Sequence, residues 1–439
     1  MSFLSKIKNK NSIRSYQSCK AAEKSMRFGP GGRVSVCCHN NRDIIGVFPA
    51  DRIMEIWNGD KALALRKILL KKFAEGCDYC KYESLSEHRY RSAALYDRYE
   101  PDPDYPVILD FKADNRCNLG CIMCSGLSSS KLLNDEKMQK TNPYETPEFI
   151  QQLKKLIPKI KEARFSGGEP FLSELYYQIW DLITELNPEC KIVVQTNGTI
   201  LNDRVRELLN RGNFHINISI DSFEKNTYEK IRIGSSFENV LSNISFFQEY
   251  CLSQNRFWGM TACAMIENMK EFNKIITTWN NYKAFGWFSV VWFPPKHAIW
   301  TLNTNEIKDT IALLNSMNSP AENGFEINNK NAGMVLKNML TQQLSISGSQ
   351  NDPKNYISSE NFEKLIISGF SASVKQNPVF KDLQVRIMEY FADNQQSMYS
   401  KESYKKIRNF TSDEYFLEIL ELMDQNSISS LFDCFKVPR

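Results

Sequence analysis

Three thiols stand within eight residues, Cys117, Cys121 and Cys124, in the run Arg116-Cys117-Asn118-Leu119-Gly120-Cys121-Ile122-Met123-Cys124. Their spacing is C-x3-C-x2-C. Three thiolates on one short loop can close around three irons of a [4Fe–4S] cluster and leave the fourth iron bare. A coordination position kept open is the mark of a catalytic metal centre. Four more cysteines precede this loop: Cys19 and Cys37 in a C-x17-C arrangement, then Cys77 and Cys80 as C-x2-C. Together they can supply four thiolates to a metal, either zinc or an iron–sulfur cluster. Gly32 leads to Cys37 by a G-x4-C spacing, which favours Cys37 over its neighbour Cys38; His39 is an alternative donor. A different chemistry is offered by Ser166-Gly167-Gly168-Glu169-Pro170. Two glycines admit a close ligand, and the Glu169 carboxylate can accept a charge-assisted hydrogen bond from an ammonium.

These groups need elements to hold them. Val107–Phe111 is an apolar run that reads as a buried strand and ends just before the triad. From Tyr105 onward short apolar runs alternate with amphipathic ones, which argues for βα units around a parallel sheet. The expected strands are Val107–Phe111, Ala163–Phe165, Ile192–Gln195, His215–Ile220, Phe257–Met265 and Gly286–Phe293. The expected helices are Pro147–Lys161, capped by Thr146, then Glu174–Leu186, Asp203–Arg211, Ser236–Tyr250, Met269–Tyr282 and Asn305–Met317.

In such sheets chemistry sits where strands end. Gly167 to Pro170 follow the second strand. Gln195-Thr196-Asn197-Gly198-Thr199 follow the third, where Asn-Gly also reads as a plain turn. Ser219 and Asp221 close the fourth strand on one face. Arg232 lies in Lys230-Ile231-Arg232-Ile233-Gly234, a surface position on its plain reading. Asn268 follows the fifth strand, where it can cap a helix.

Outside this region, Ala62–Phe73 has helical periodicity with Leu63, Leu65, Ile68, Leu69 and Phe73 as an apolar stripe. Tyr96–Tyr105, with Pro101 and Pro103, suits a domain boundary. Ser345–Lys354 reads as a linker or surface loop, and Phe380–Asp393 and Ser412–Met423 as helices. Cys190, Cys251, Cys263 and Cys434 read as core cysteines.

The triad and the Gly167-Gly168-Glu169-Pro170 turn together resemble the radical S-adenosylmethionine (SAM) family. The resemblance implies an α/β fold: a partial (β/α)6 TIM-like barrel over 105–318, a small Cys-rich twitch-type domain over 1–100, and a mostly helical C-terminal region over 319–439. It implies a [4Fe–4S] cluster on Cys117, Cys121 and Cys124 whose bare iron chelates SAM. The SAM amino group falls to Gly167, Gly168 and Glu169, and its ribose to Ser219. Asn197 falls near SAM and substrate, Arg232 at the SAM carboxylate, and Asn268 at ribose or adenine. Met123 stands where the family often carries an aromatic residue. Cys19, Cys37, Cys77 and Cys80, with the run from Trp57 through Arg66, resemble the twitch domain, a shortened SPASM domain holding an auxiliary [4Fe–4S] cluster. That domain usually follows the barrel; here it precedes it.

The bulk composition narrows the partners. With 439 residues and 42% hydrophobic content the chain can bury a sizeable core. Its 55 basic residues against 51 acidic ones argue for neither a nucleic-acid footprint nor a membrane surface. No apolar run approaches the ~18 residues of a spanning helix. Twelve cysteines without a secretion signal favour metal binding in a reducing compartment, so a cytoplasmic location is expected.

The resemblance implies an enzyme that cleaves SAM reductively to a 5′-deoxyadenosyl radical, which takes hydrogen from a substrate C–H bond. The auxiliary cluster would assist a net oxidation or cross-link on a ribosomally made peptide, with flavodoxin or ferredoxin as electron donor. A dehydrogenase or epimerase of a sugar or other small molecule is the alternative. A non-catalytic, zinc-stabilised binding protein is the reading from another class. No catalytic side chain is singled out.

Overall fold

Phe28, Phe111 and Phe165 stand at matched register positions on three neighbouring strands. Their rings stack, Phe28 on Phe111 at 5.2 Å and Phe111 on Phe165 at 4.8 Å, and Trp180 meets Phe165 edge-on at 5.3 Å. Cross-strand aromatic pairs of this kind fix register, because a slip of one residue would turn every ring to the other face. The strands belong to one nine-stranded sheet of order β3-β2-β1-β4-β5-β6-β7-β8-β9. They are β1 Ser25–Phe28, β2 Arg33–Ser35, β3 Gly46–Val47, β4 Ile108–Phe111, β5 Glu162–Phe165, β6 Lys191–Thr196, β7 Phe214–Ser219, β8 Trp258–Ala264 and β9 Phe285–Val290. From β1 through β4 to β8 neighbouring strands run parallel; β2 and β3 are antiparallel additions at the β1 edge. The computed structural model describes residues 18–400 apart from 41, 75, 78–79, 81–91, 127, 133–141, 292–293, 317–320, 351–355, 371 and 377, together with 420, 428, 429, 431 and 432.

Strands β4 to β9 coincide with the six expected strands to within about two residues over the described positions. The helices between them also fall where expected. Thr146, Ser173, Asn202 and Ser236 each cap a helix by accepting a backbone N–H, which is why the starts at Pro147, Glu174, Asp203 and Phe237 are sharp. Tyr176, Ile179, Trp180 and Ile183 cover the aromatic face of the sheet.

The chain divides into two compact units. The first comprises Met1–Cys263, Glu271–Ser289 and Asn318–Val335, so the cysteine-rich segment and the parallel sheet share it. The segment expected as a boundary is tied down: Lys24 donates through Nζ to the Tyr96 carbonyl at 2.7 Å, and Tyr99 donates through its hydroxyl to Glu162 at 2.9 Å. The second unit comprises Ala264–Lys270, Val290–Met317 and Leu336–Arg439. Its core is aromatic, with Phe362 stacked on Tyr399 at 4.8 Å beside Tyr390, Phe391 and Phe432.

Two expectations need correction. The helix expected at Ala62–Phe73 is Asp60–Leu69, and its buried stripe is Ala62, Leu65 and Leu69, whereas Leu63 and Ile68 are exposed. The linker expected at Ser345–Lys354 is instead helix as far as Gln350, the end of Gly324–Gln350. Buried Leu336 and Leu340 anchor that helix, and propagation along a helix already formed outweighs the weak propensity of its serines and glycine. The helix expected at Ser412–Met423 and the terminal Cys434 lie outside the described residues, apart from Leu420.

Candidate active site

The triad loop leaves the end of β4 and is stitched to three neighbouring turns. From the turn after β5, Gly168 donates its backbone N–H to the Asp114 carbonyl at 3.0 Å, and Glu169 donates to the Arg116 carbonyl at 2.7 Å. From the turn after β6, the Asn197 amide donates to Asn118 Oδ1 at 3.0 Å and reaches Cys117 Sγ at 3.9 Å. From the end of the helix Lys225–Ile231, the carbonyls of Ile231 and Ile233 accept from Ile122 and Gly120 at 3.0 and 2.9 Å. The glycines also have a part in packing. A Cβ on Gly167 or Gly168 would run into the Asp114 or Arg116 carbonyl, so both positions let the turn close on the cysteine loop. Gly167 also has a φ of 125°, which favours glycine.

Glu169 is 1% exposed. Its carboxylate accepts from the Asn197 N–H at 2.7 Å, the Thr196 hydroxyl at 2.8 Å and the Phe171 N–H at 3.1 Å. Burial still outweighs these bonds and pushes its pKa up to about 7. Among the described residues no ion pair reaches this carboxylate, only the more remote charge of Arg232, and a ligand ammonium would supply a direct partner. Asn197 joins this acid to the triad, with its N–H on Glu169 and its amide on Cys117.

The three thiols are drawn together pairwise. The Cys121 and Cys124 thiols act on each other so that the one is raised and the other lowered, and each also feels Cys117 or is felt by it. Burial raises Cys117. Among the described residues no three His, Cys, Asp or Glu side chains close on one point as the ligands of a single metal ion do. Arg232 stands beside Cys121 and Cys124, and its positive charge favours their thiolates. It is not at the surface: it is 4% exposed, and its Nε lies 2.8 Å from Asp221 Oδ2. Asp221, wholly buried, also accepts the Cys263 N–H at 2.6 Å. Cys263 is thus partly exposed in a charged setting, not an apolar core residue, while Cys190 and Cys251 are buried as expected.

The other four cysteines meet in one cavity. Cys19, Cys37, Cys77 and Cys80 line it together with His39, against an apolar wall that includes Val36, Leu69 and Tyr96. Cys38, next to Cys37, is exposed and is not part of that lining. Asn40 donates to Cys77 Sγ at 3.6 Å, and Ala21 N–H to Cys19 Sγ at 3.4 Å, the kind of N–H···S bond that orients thiolate ligands. Burial pushes the Cys19 thiol up to about 11 and Cys37 higher still. Metal charge is what turns such buried thiols into thiolates, so the all-sulfur donor set fits a thiolate-bound cluster.

The sheet face opposite the aromatic ladder is polar. Arg27, Asp110 and Arg164 occupy one registered row, and Asp110 lies 3.8 Å from Arg27. At the foot of the strands Glu162 pairs with Arg164 at 2.5 Å, Lys191 at 3.7 Å and Arg98 at 3.9 Å, which keeps its carboxyl well below the usual range despite burial. Towards the triad end, Asn217 donates to Gln195 Oε1 at 2.7 Å and Thr261 Oγ1 at 3.0 Å, and Gln195 donates to Ser219 Oγ at 2.5 Å. Ser219 therefore faces the same side as this ladder. Lys112 continues the Asp110 face one step beyond β4; burial and then Arg27 push its ammonium down to about 8.

Of the residues singled out in the sequence, Gly167, Gly168, Glu169, Asn197 and Arg232 converge on the triad loop. Asn268 belongs to the second unit, where it is buried and accepts the Met265 N–H at 2.9 Å, a bond that reaches back to the end of the strand and not forward as a helix cap does. Sequence reasoning passed over Asn118 and Lys112 and gave Asp221 a face but no role. Period-two alternation carries Asp221 and Lys112, two steps beyond Ser219 and Asp110; nothing in the sequence marks Asn118.

Residues 114–277 match the radical SAM superfamily and residues 19–81 match an iron–sulfur cluster-binding domain of the SPASM type. Among curated proteins, the GTP 3′,8-cyclase of Clostridium perfringens is 31% identical over 165 residues, 37% of this chain and 46% of the cyclase. That of Limosilactobacillus fermentum is 28% identical over 151 residues, 34% of this chain and 43% of the cyclase. The chain thus spans less than half the length of these relatives. Among solved structures, native anSMEcpe with bound AdoMet matches at 17% identity over 47% of this chain and 59% of that one, with a TM-score of 0.37. Streptococcus suis SuiB bound to S-adenosylmethionine matches at 13% identity over 58% of this chain and 49% of that one, with a TM-score of 0.34. The cofactors that go with these domains are [4Fe–4S] clusters and SAM. The chain is a member of the radical SAM superfamily with a SPASM-type iron–sulfur domain ahead of its barrel.

Proposed function

We propose that this protein is a radical SAM enzyme that breaks a substrate C–H bond and completes a net oxidation or cross-link with the help of a second cluster, on a ribosomally made peptide. Cys117, Cys121 and Cys124 hold the SAM-binding cluster; Cys19, Cys37, Cys77 and Cys80 hold the auxiliary one. When bound, the reduced cluster supplies the electron that cleaves SAM and so yields the hydrogen-abstracting radical. The chain's own part is placement. Gly167, Gly168 and Glu169 hold the SAM amino group, with the Glu169 carboxylate as acceptor, and Arg232 stays fixed by Asp221 near the carboxylate. Asn197 lies near SAM and substrate, Ser219 serves the ribose, and Asn268 serves the ribose or adenine. An electron donor such as flavodoxin or ferredoxin completes the cycle.

The observation that carries this reading is Asn197, bonded at once to the buried Glu169 carboxylate and to Cys117 Sγ. It ties the ammonium acceptor to the cluster ligand. A second reading, a dehydrogenase or epimerase of a sugar or other small polar molecule, is favoured by the Gln195–Asn217–Ser219–Thr261 ladder, whose amides and hydroxyls suit a hydrogen-bonding substrate. The GTP 3′,8-cyclases that share the barrel segment bear a small-molecule name in keeping with it. Anaerobic reconstitution tests the shared core: about eight irons per chain, as two four-iron clusters, and 5′-deoxyadenosine on reduction. Zinc in place of iron, or reduced protein that leaves SAM intact, refutes it. Deuterium moving into 5′-deoxyadenosine from a labelled peptide or a labelled sugar decides between the substrates.

A further inference from the structure

Lys112 is a half-buried cation on the polar face of the sheet. Its backbone is fixed at the end of β4, where its N–H donates to the Phe28 carbonyl at 2.9 Å. Phe111 beside it points into the aromatic ladder, so Lys112 points the other way, on the face of Asp110. Its ammonium lies within electrostatic reach of Cys124 of the triad and of Cys38 on the N-terminal cysteine loop. Among the described residues, no hydrogen bond or ion pair reaches that ammonium. Asp110, the carboxylate on this face whose charge it feels, is paired with Arg27. Arg164, in the same row as Asp110, has a buried Nη2 without a hydrogen-bond partner. The face therefore carries more positive charge than it neutralises at the end of β4, from which the triad loop leaves.

We propose that Lys112 anchors an anionic group of the substrate, a carboxylate or a phosphate, beside the triad. This deepens the reading of the triad pocket as the substrate site and rests on it. A lysine suits the task because its ammonium is a compact point charge that pairs with either anion without demanding one orientation. The neighbouring Gln195 and Asn217 amides fit the polar remainder of such a substrate. A cation left half-buried without a counter-ion is a cost to the fold that a bound anion removes, so ligand binding registers as added stability.

The test uses the reconstituted full chain with SAM present and two probes, inorganic pyrophosphate for the phosphate source and succinate for the carboxylate source. One of them should raise the melting temperature of the wild type and bind saturably by calorimetry. Lys112→Met should weaken that binding by about tenfold or more, as loss of a charge-assisted contact does. Lys112→Arg should keep it within a few-fold. Without probe, Lys112→Met should melt no lower than the wild type, since it deletes a cation that lacks a counter-ion. A lower melting point would make Lys112 structural and overturn the proposal. So would equal probe binding by wild type and Lys112→Met, or no binding of either probe. Tenfold weaker SAM binding in Lys112→Met would assign the anion to SAM and overturn it as well. Formation of 5′-deoxyadenosine by the wild type tests the underlying reading separately, so its survival with no anion bound rejects Lys112 alone.

Discussion

Gly168→Ala is the sharpest probe of how the site is built. The added methyl would fall 2.5 Å from the Arg116 carbonyl carbon and 2.6 Å from the Asn115 carbonyl carbon, with the Arg116 oxygen closer still. Ordinary contact starts near ~3.5 Å, so the cysteine loop must retreat by about an ångström. Overpacking of this kind costs ~1–3 kcal/mol. The retreat also stretches Gly168 N–H to Asp114 and Glu169 N–H to Arg116, each worth ~1 kcal/mol. The sum, ~3–5 kcal/mol, is a large share of a typical stability of ~5–15 kcal/mol. Gly168 is not among the positive-φ glycines, so the effect is steric and not a matter of backbone strain. The control is Gly120→Ala on the same loop, whose methyl would meet only Leu132 at 3.5 Å. Iron and melting temperature, measured after identical anaerobic reconstitution, should fall for Gly168→Ala towards about four irons and hold for Gly120→Ala. A Gly168→Ala protein with full iron and an unchanged melt would show that the two segments are not in the contact described.

Four further outcomes follow from the geometry. SAM binding should weaken below pH ~7 by up to tenfold per unit, because the ammonium needs the ionised Glu169 and burial raises that acid to about 7; titration calorimetry that shows a flat profile between pH 6 and 8 removes Glu169 from the role. His215, pushed down to about 3 by burial and then Lys191, accepts the Phe257 N–H at 2.7 Å and stays neutral in the fold. Its stability contribution is whole above the unfolded value near 6.5 and is lost as pH falls towards 3, at up to about 1.4 kcal/mol per unit; denaturant midpoints that do not drop across this window in the wild type, or drop equally in His215→Gln, contradict it. Glu162→Gln should cost ~3–5 kcal/mol, since Arg164 and Lys191 would keep their charges beside a neutral amide; a urea midpoint near that of the wild type would refute the hub. Cys37→Ser should lose the auxiliary iron and Cys38→Ser should keep it, because only Cys37 faces the four-cysteine cavity; iron analysis with the opposite result reverses the assignment.

The parts of this structure that sequence periodicity reports are the ones with regular repeats. Strands β4 to β9 and the capped helices between them are visible because alternation and cap residues act over a few positions. The four cysteines of the cavity were legible for a related reason, since metal ligation demands one residue type at constrained spacing. The packing role of Gly167 and Gly168 was not, because the backbone they approach lies some fifty residues earlier in the chain. Arg232 could also be read as a surface residue, and its partner Asp221 is what holds it inside. The helix through Ser345–Gln350 was hidden by its own composition, since its stability is set upstream at Leu336 and Leu340.

The pairing of β1 with β4 has a practical corollary. Ser25 to Phe28 supply the hydrogen-bonding partner for Ile108 to Phe111 along their whole length. An attempt to excise the first hundred residues and keep the rest as a minimal catalyst would leave β4 as a raw border of the sheet, with Phe111 stripped of Phe28. Such a bare margin invites strand addition from a second molecule. Engineering of the two halves should therefore proceed by point changes and not by truncation, and a shortened version should be expected to associate through that margin.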